Sequence, residues 1–323
     1  MAASFRIEGL DPELRRSAKR FGSLLKPSRL RYRLFNLLTR LARAPSLDGY
    51  VTSTQQVPRS NGDGTIRTRI LRPAHASGDL PCLLYLHGGG YALGSPDVSG
   101  DAMALFAGAH DCVIVAPAYR RSLEAPYPAA IDDCHDALVW VRDNAKTLGI
   151  RTDQIFVGGH SAGGGLTAAL SLRARDRKSV RIAFQMPIYP MIDDRMQNAS
   201  AQGNTAPVWN TATNSFAWAL YLKGLHDAGA PIPADAAAAR AVDYSGLPPT
   251  ATFVGDLEPF ADETVAYVEA LRGAGVEVAF EMYSGCYHAF DMLAPDAAVS
   301  KRARAFIGDA FARACRTHFA DQY

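Results

Sequence analysis

The 323-residue chain predicts an α/β fold, a mostly parallel central sheet flanked by helices with a helical cap. Three observations lead there. From residue 66 onward, short apolar runs alternate with helix-length segments, the pattern of a right-handed α/β sheet. Several of those runs are continuously apolar, as in parallel strands covered on both faces. One run, Ile155-Phe156-Val157-Gly158, leads through Gly159-His160-Ser161-Ala162-Gly163 into the helix-like Leu166–Leu172.

The predicted strands are Ile66–Arg72, Cys82–Leu86, Val113–Ala116, Ile155–Gly158, Ile182–Met186, Thr250–Val254 and Val278–Tyr283. Helices are expected over Ala130–Leu148, Ala162–Arg175, Asp262–Ala274 and Ala297–Cys315. Ala234–Ala241 is short and reads as a loop or a helical turn. Two regions interrupt the alternation, residues 1 to about 50 and about 193–244. The expected organisation is therefore an N-terminal cap segment 1–50, catalytic α/β parts 51–192 and 245–323, and a cap insertion 193–244. The two cap segments are expected to meet over the C-terminal edge of the sheet, where ligands of open α/β folds bind.

Composition narrows the classes. Nearly half of the residues are apolar, enough for a substantial core. No apolar run is long enough to span a bilayer, and Met1–Glu8 lacks the apolar core of a secretion signal. Cys82, Cys112, Cys134, Cys286 and Cys315 are scattered, odd in number and without metal-ligand spacing, which predicts reduced thiols in a cytoplasmic protein. The net charge of +2 is uneven: residues 1–45 carry eleven Arg/Lys against Glu8, Asp11 and Glu13, a local balance of +8. Such a leader can attach to a membrane surface or nucleic acid. The expectation here is instead amphipathic helices with solvated arginines, because Leu30, Tyr32, Leu34, Leu37, Leu38 and Leu41 recur at helical spacing and so pack on something. No nucleic-acid partner and no stable membrane anchor are expected.

The chemistry centres on Ser161. G-x-S-x-G between a strand and a helix is the pattern of a nucleophile elbow, in which small neighbours allow a strained serine to stand clear of the sheet. A serine hydroxyl is a poor nucleophile at neutral pH and needs a base, a group that orients the base, and oxyanion donors. His87-Gly88-Gly89-Gly90-Tyr91 follows a predicted strand, and successive glycines let main-chain N–H groups converge. Gly89 and Gly90 are the candidate donors, with Ala162, the residue after the nucleophile, as a further one. A phosphate loop is excluded because no Gly-Lys-Ser/Thr follows. Of eight histidines, His288 fits the base, because it follows a late strand in the chain order serine, acid, histidine. His160 adjoins the serine but leaves the turn in another direction, and His135 is expected to be a solvated helix residue. Local pattern does not separate Asp256 from Glu258 as the acid.

Taken together, these residues resemble the hormone-sensitive-lipase-like family of α/β-hydrolases, which includes bacterial carboxylesterases and acetyl-esterases. The resemblance runs from about residue 80 to 315. It rests on His87–Gly90, Tyr119-Arg120, Pro126-Tyr127-Pro128-Ala129-Ala130, Gly159–Gly164, Tyr189-Pro190, Gly246-Leu247-Pro248-Pro249 and the His288 segment. It implies an α/β-hydrolase fold with a cap built partly from the N-terminus, and hydrolysis of short-to-medium acyl esters without metal or cofactor. It also places Glu258-Pro259-Phe260-Ala261-Asp262-Glu263 in register with the family's Asp-Pro-Leu-x-Asp-Glu, so Glu258 takes the acid's place. His160 stands where the family usually has Asp. The expected activity is that of a serine carboxylesterase on a small-molecule ester. Amidase, lactonase or acyltransferase chemistry on the same triad is the alternative among enzymes. A non-catalytic receptor on this fold is disfavoured because relatives of that kind lose the triad histidine. The expected substrate-pocket residues are Tyr91, Tyr189, Trp209, Phe216 and Tyr287. A homodimer joined at a sheet edge is common among similar proteins.

Overall fold

The computed structural model describes residues 7–22, 26–41 and 46–323, without the side chains of residues 40 and 41. Of the 1–50 segment, residues 1–6, 23–25 and 42–45 and the side chain of Leu41 therefore lie outside the described residues.

Among the described residues, eight strands form one sheet. In chain order they are β1 (Tyr50–Pro58), β2 (Thr65–Pro73), β3 (Leu80–Leu86), β4 (Val113–Pro117), β5 (Ile150–His160), β6 (Phe184–Ile188), β7 (Thr250–Gly255) and β8 (Val278–Tyr283). The spatial order is β1-β2-β4-β3-β5-β6-β7-β8. β1 and β2 form an antiparallel hairpin, and β2 joins β4 antiparallel. From β4 to β8 every pairing is parallel.

The helices are α1 (Arg15–Phe21), α2 (Arg29–Leu41), α3 (Gly100–Ala109), α4 (Ala129–Asp143), α5 (Ala145–Leu148), α6 (Ala162–Arg177), α7 (Thr211–Tyr221), α8 (Lys223–Asp227), α9 (Ala261–Gly273), α10 (Phe290–Leu293) and α11 (Ala298–Thr317). α4 packs on α6, and α3 packs on α11. In the second pair, Phe311 of α11 meets Phe106 of α3 edge-on at 5.3 Å and Phe156 of β5 at 6.0 Å. β3, β4 and the second half of β5 are buried along their length, which is why they read as unbroken apolar runs.

Seven strands coincide with the predicted runs within a few residues at their ends. β1 is absent from the prediction for a physical reason. Of its nine residues only Val57 is buried, so this polar edge strand carries almost no hydrophobic signal. The predicted helix Ala130–Leu148 is two helices, α4 and α5, divided at Asn144. Helix α3 is also new, its Gly- and Ala-rich sequence giving little periodicity. Ala234–Ala241 contains a 3-10 turn, Ala238–Arg240.

Helices of the two interrupting regions meet. Tyr32 of α2 meets Phe216 of α7 edge-on at 5.4 Å, and Leu220, Ala92 and Leu93 complete this small apolar cluster. Leu10, Leu14 and Ala18 join the main core. Around them, the Asp11 N–H donates to the Gly285 carbonyl at 3.0 Å and Tyr287 Oη donates to Ser17 Oγ at 2.7 Å. The N-terminal segment thus lies against the loop that carries His288. The leucine stripe of α2 behaves differently from expectation. Leu30, Leu34, Leu37 and Leu38 are exposed, because α2 docks through Tyr32, Asn36 and Thr39 instead.

Candidate active site

The sharp turn between β5 and α6 carries Ser161 at φ 59° and ψ −120°, a backbone conformation that costs a non-glycine residue on the order of 1–3 kcal/mol. Three main-chain bonds hold it there. The Ser161 N–H donates to Ile188 O at 2.9 Å, and Ser161 O accepts from Gly165 N–H at 2.8 Å and Met191 N–H at 3.1 Å. The close approach of α6 to β3 requires glycine: a Cβ on Gly163 would sit 2.0 Å from Leu86 O. The turn thereby aims Ser161 Oγ at His288, whose Nε2 lies 2.9 Å away.

His288 stands on the loop between β8 and α10. Its Nδ1 is hydrogen-bonded to Glu258 Oε2, and Glu258 Oε1 accepts the Gly255 N–H at 2.8 Å. Glu258 is completely buried. Phe260 and Tyr189 meet the imidazole edge-on at 5.0 Å, fixing the plane of the ring. Asp256 has other partners: its Oδ1 accepts Gly285 N–H at 2.8 Å and Cys286 N–H at 3.3 Å, and its Oδ2 accepts from Ser284 Oγ at 3.0 Å. It orders the start of the His288 loop and makes no bond to the imidazole.

The glycine loop after β3 faces the serine. Among the described residues, no acceptor takes the N–H groups of Gly89, Gly90 or Ala162. Gly90 adopts φ 58°, and a Cβ there would lie 2.2 Å from the Trp209 ring, so only glycine lets the tryptophan close over the loop. Gly88 approaches the elbow closely, since a Cβ would meet His160 O at 2.8 Å.

A cavity of about 260 Å³ opens at Ser161 and His288. Its walls include Tyr85, Leu93, His160, Tyr189, Val208, Trp209, Met292 and Leu293, with Phe21 of α1 and Phe35 of α2 from the N-terminal segment. Tyr189 and Trp209 were predicted here. Tyr91, Phe216 and Tyr287 lie elsewhere, and each has a physical reason. Tyr91 is buried against Tyr221, ring to ring at 4.0 Å, and donates its hydroxyl to Met191 O at 2.6 Å. Phe216 belongs to the cluster with Tyr32, and Tyr287 reaches Ser17. The wall residues that the sequence did not single out for the pocket are aromatic (Phe21, Phe35, Tyr85, His160) as well as aliphatic or thioether (Leu93, Val208, Met292, Leu293), and nothing in their spacing marks them. A larger cleft of about 530 Å³ lies behind the glycine loop, lined by Arg67, His87, Asp97, Arg121 and Glu124, and does not contain the serine.

His160 is buried, with Nδ1 hydrogen-bonded to Tyr85 Oη at 3.1 Å. Burial pushes its pKa down to about 3, so the ring is neutral near pH 7. His135, expected to be solvated, is half-buried against Ser179, and burial together with Arg177 and Arg173 lowers its pKa to about 4. Among the described residues no group of three or more His, Cys, Asp or Glu side chains is arranged to hold a metal ion.

A parallel sheet with a strained serine at the end of its central strand, and a histidine returning to it from a late loop, is the architecture of an α/β-hydrolase. Comparison with known proteins agrees. A family model described as the alpha/beta hydrolase fold matches residues 83–292, and the chain belongs to this hormone-sensitive-lipase-like family. It is 34% identical to "Esterase LipI" of Mycobacterium tuberculosis over 218 residues, covering 67% of this chain and 68% of that protein. "Carboxylesterase NlhH" of the same species is 31% identical over 242 residues, covering 75% of this chain and 76% of that one. Among solved structures, "Bacterial Heroin Esterase" superimposes with a TM-score of 0.87 at 31% identity, covering 96% of this chain and 99% of that chain.

Proposed function

We propose that the protein is a serine carboxylesterase that cleaves short-to-medium acyl esters through an acyl-enzyme, with Ser161, His288 and Glu258 as its triad. The observation that carries the reading is the unbroken chain of contacts from Ser161 Oγ through both ring nitrogens of His288 to a buried glutamate. Ser161 Oγ attacks the ester carbonyl while His288 Nε2 accepts the hydroxyl proton. Glu258 holds Nδ1–H, fixes the tautomer and stabilises the imidazolium that forms. The carbonyl oxygen becomes an oxyanion facing the N–H groups of Gly89, Gly90 and Ala162, each of which contributes ~3 kcal/mol in the transition state. His288 returns its proton to the departing alkoxide, which leaves as the alcohol. Water then attacks the acyl-enzyme by the same route, releasing the acid and restoring Ser161. Esters are favoured over amides because an alkoxide leaves more readily than an amide anion. The printed activities of the relatives support the same reaction class.

The N-terminal segment and the 193–244 insertion are read as one cap over this site, supported by the contact of Tyr32 with Phe216 and by Phe21, Phe35 and Trp209 in the pocket wall. Five buried, unpaired cysteines support a cytoplasmic setting. No helix of the described residues is long and apolar enough to cross a membrane. The open edge at β8, where Glu281 and Met282 are exposed, is the surface through which a homodimer is expected to form.

Ser161→Ala tests the central role. Hydrolysis of short p-nitrophenyl esters should fall by about 10⁴-fold or more while the circular dichroism and melting profile stay unchanged. Retained turnover at the wild-type rate would remove Ser161 from the mechanism.

A further inference from the structure

Helix α2 is docked with its apolar face outward. Leu30, Leu34, Leu37 and Leu38 are 77%, 55%, 55% and 59% exposed. They recur at the three- and four-residue spacing that lines one helix face. The opposite face is buried through Tyr32, Asn36 and Thr39, and Asn36 Nδ2 donates to Ala92 O at 2.9 Å. Burial of apolar surface ordinarily drives a helix onto its support, so four leucines left in water on one face call for a partner.

The charges beside the stripe say which partner. On a helical projection Arg31 falls on one flank of the leucines and Arg29 and Arg33 on the other. α2 contains no acidic residue, and none of these three arginines pairs with a described carboxylate. α1 adds Arg15, Arg16, Lys19 and Arg20. A second copy docking α2 against α2 would bring like-charged rows together, which opposes association. A surface of anionic lipid accepts both features, taking leucines among its acyl chains and arginines at its phosphates.

The stripe also lies beside the pocket. Phe35 of α2 and Phe21 of α1 form part of the wall around Ser161. Val98, another wall residue and itself 44% exposed, belongs to the 3-10 turn Pro96–Val98 on which α2 packs. We propose that α2 seats the protein reversibly on anionic lipid surfaces through Leu30, Leu34, Leu37 and Leu38 and the flanking arginines. Seated there, the pocket draws on apolar esters dissolved in the lipid phase. That last consequence rests on the esterase reading, whereas the seating does not.

Sedimentation of the full chain with vesicles tests the seating without any turnover. The protein should pellet with phosphatidylglycerol-containing vesicles at low salt, bind pure phosphatidylcholine at least about tenfold more weakly, and be largely released by about 0.5 M salt. Arg29→Gln, Arg31→Gln and Arg33→Gln should each weaken binding to the anionic vesicles about fivefold. Leu34→Ser/Leu37→Ser/Leu38→Ser should abolish it while hydrolysis of soluble p-nitrophenyl acetate stays within about twofold, showing that the fold is intact. No pelleting of the wild-type chain with anionic vesicles at low salt would overturn the proposal. So would a concentration-dependent dimer in sedimentation velocity that the leucine variant loses in the absence of vesicle binding, since the stripe would then belong to a second copy. Vesicle binding by a chain that hydrolyses no ester would strike the esterase reading and leave the seating in place.

Discussion

We assign the acid of the proposed triad by what each carboxylate already holds. Glu258 and Asp256 are two residues apart on the loop after β7, and both are close to the segment that carries His288. Glu258 turns inward, spends Oε1 on the Gly255 N–H and offers Oε2 to the imidazole. Asp256 spends both oxygens on Ser284, Gly285 and Cys286. Glu258→Gln should therefore lower kcat by about 10³–10⁴-fold, because an amide can hold the ring in the wrong tautomer and cannot stabilise its cation. Asp256→Asn keeps most of its loop bonds and should cost less than about tenfold. Steady-state rates on a short p-nitrophenyl ester check the pair, and the opposite ranking would transfer the role to Asp256. The register of Glu258 with a family pattern was legible in the sequence, but its choice over Asp256 depends on side-chain direction, which local pattern does not encode. The same limit explains Tyr91, Phe216 and Tyr287. Each neighbours a site element in sequence, yet its ring turns toward Tyr221, Tyr32 or Ser17.

Between elements, one buried carboxylate ties three of them together. Asp133 of α4 is completely buried and accepts from Arg59 Nε at 2.8 Å, from the Arg120 main-chain N–H at 2.8 Å and from Arg120 Nη2 at 2.8 Å. It thereby pins the end of the β1–β2 hairpin and the loop after β4 to α4. Asp133→Ala would leave two guanidinium groups facing a void. They retain some solvent access, so the loss should be ~3 kcal/mol rather than the upper end for a fully buried pair. A lower urea midpoint with unchanged kcat per folded molecule is the expected result, and an unchanged midpoint would show that solvent replaces the carboxylate without loss. Arg120 thus serves this knot, while Tyr119 beside it donates its hydroxyl to His87 O at 2.7 Å, and neither residue lines the reactive cavity. The elements themselves were legible wherever burial is two-sided, as in β3, β4 and the second half of β5. They were not where it is one-sided or slight, as in β1, or where small residues blur the period, as in α3. The leucines of α2 gave the right helix and the wrong face, because periodicity reports that a stripe exists and not which side of the helix meets the core.

At the scale of the whole molecule, the proposed reading makes the walls around Ser161 the device that should set the length of acyl chain accepted. The sheet supplies the serine, and Phe21, Phe35, Val208 and Trp209 of the two proposed cap segments wall an open pocket of about 260 Å³. That is below the ~300–1,000 Å³ common for ligand pockets. While a chain fits, each buried methylene contributes ~0.8 kcal/mol, or about fourfold in kcat/KM if the gain is kept in the transition state. Once the space is filled, further methylenes must stay in water or displace Phe21 and Phe35, which unpacks α1 and α2 from the body. kcat/KM on p-nitrophenyl esters should therefore rise from acetate to about butyrate or hexanoate and then fall by tenfold or more toward the laurate. Replacing Phe35 with Ala should move the maximum to longer chains, because that ring is part of the pocket wall and not of the proposed triad. A rate that climbs steadily to the laurate in the wild-type enzyme would mean that α1 and α2 yield to substrate at little cost, and that the walls of the pocket do not govern selectivity.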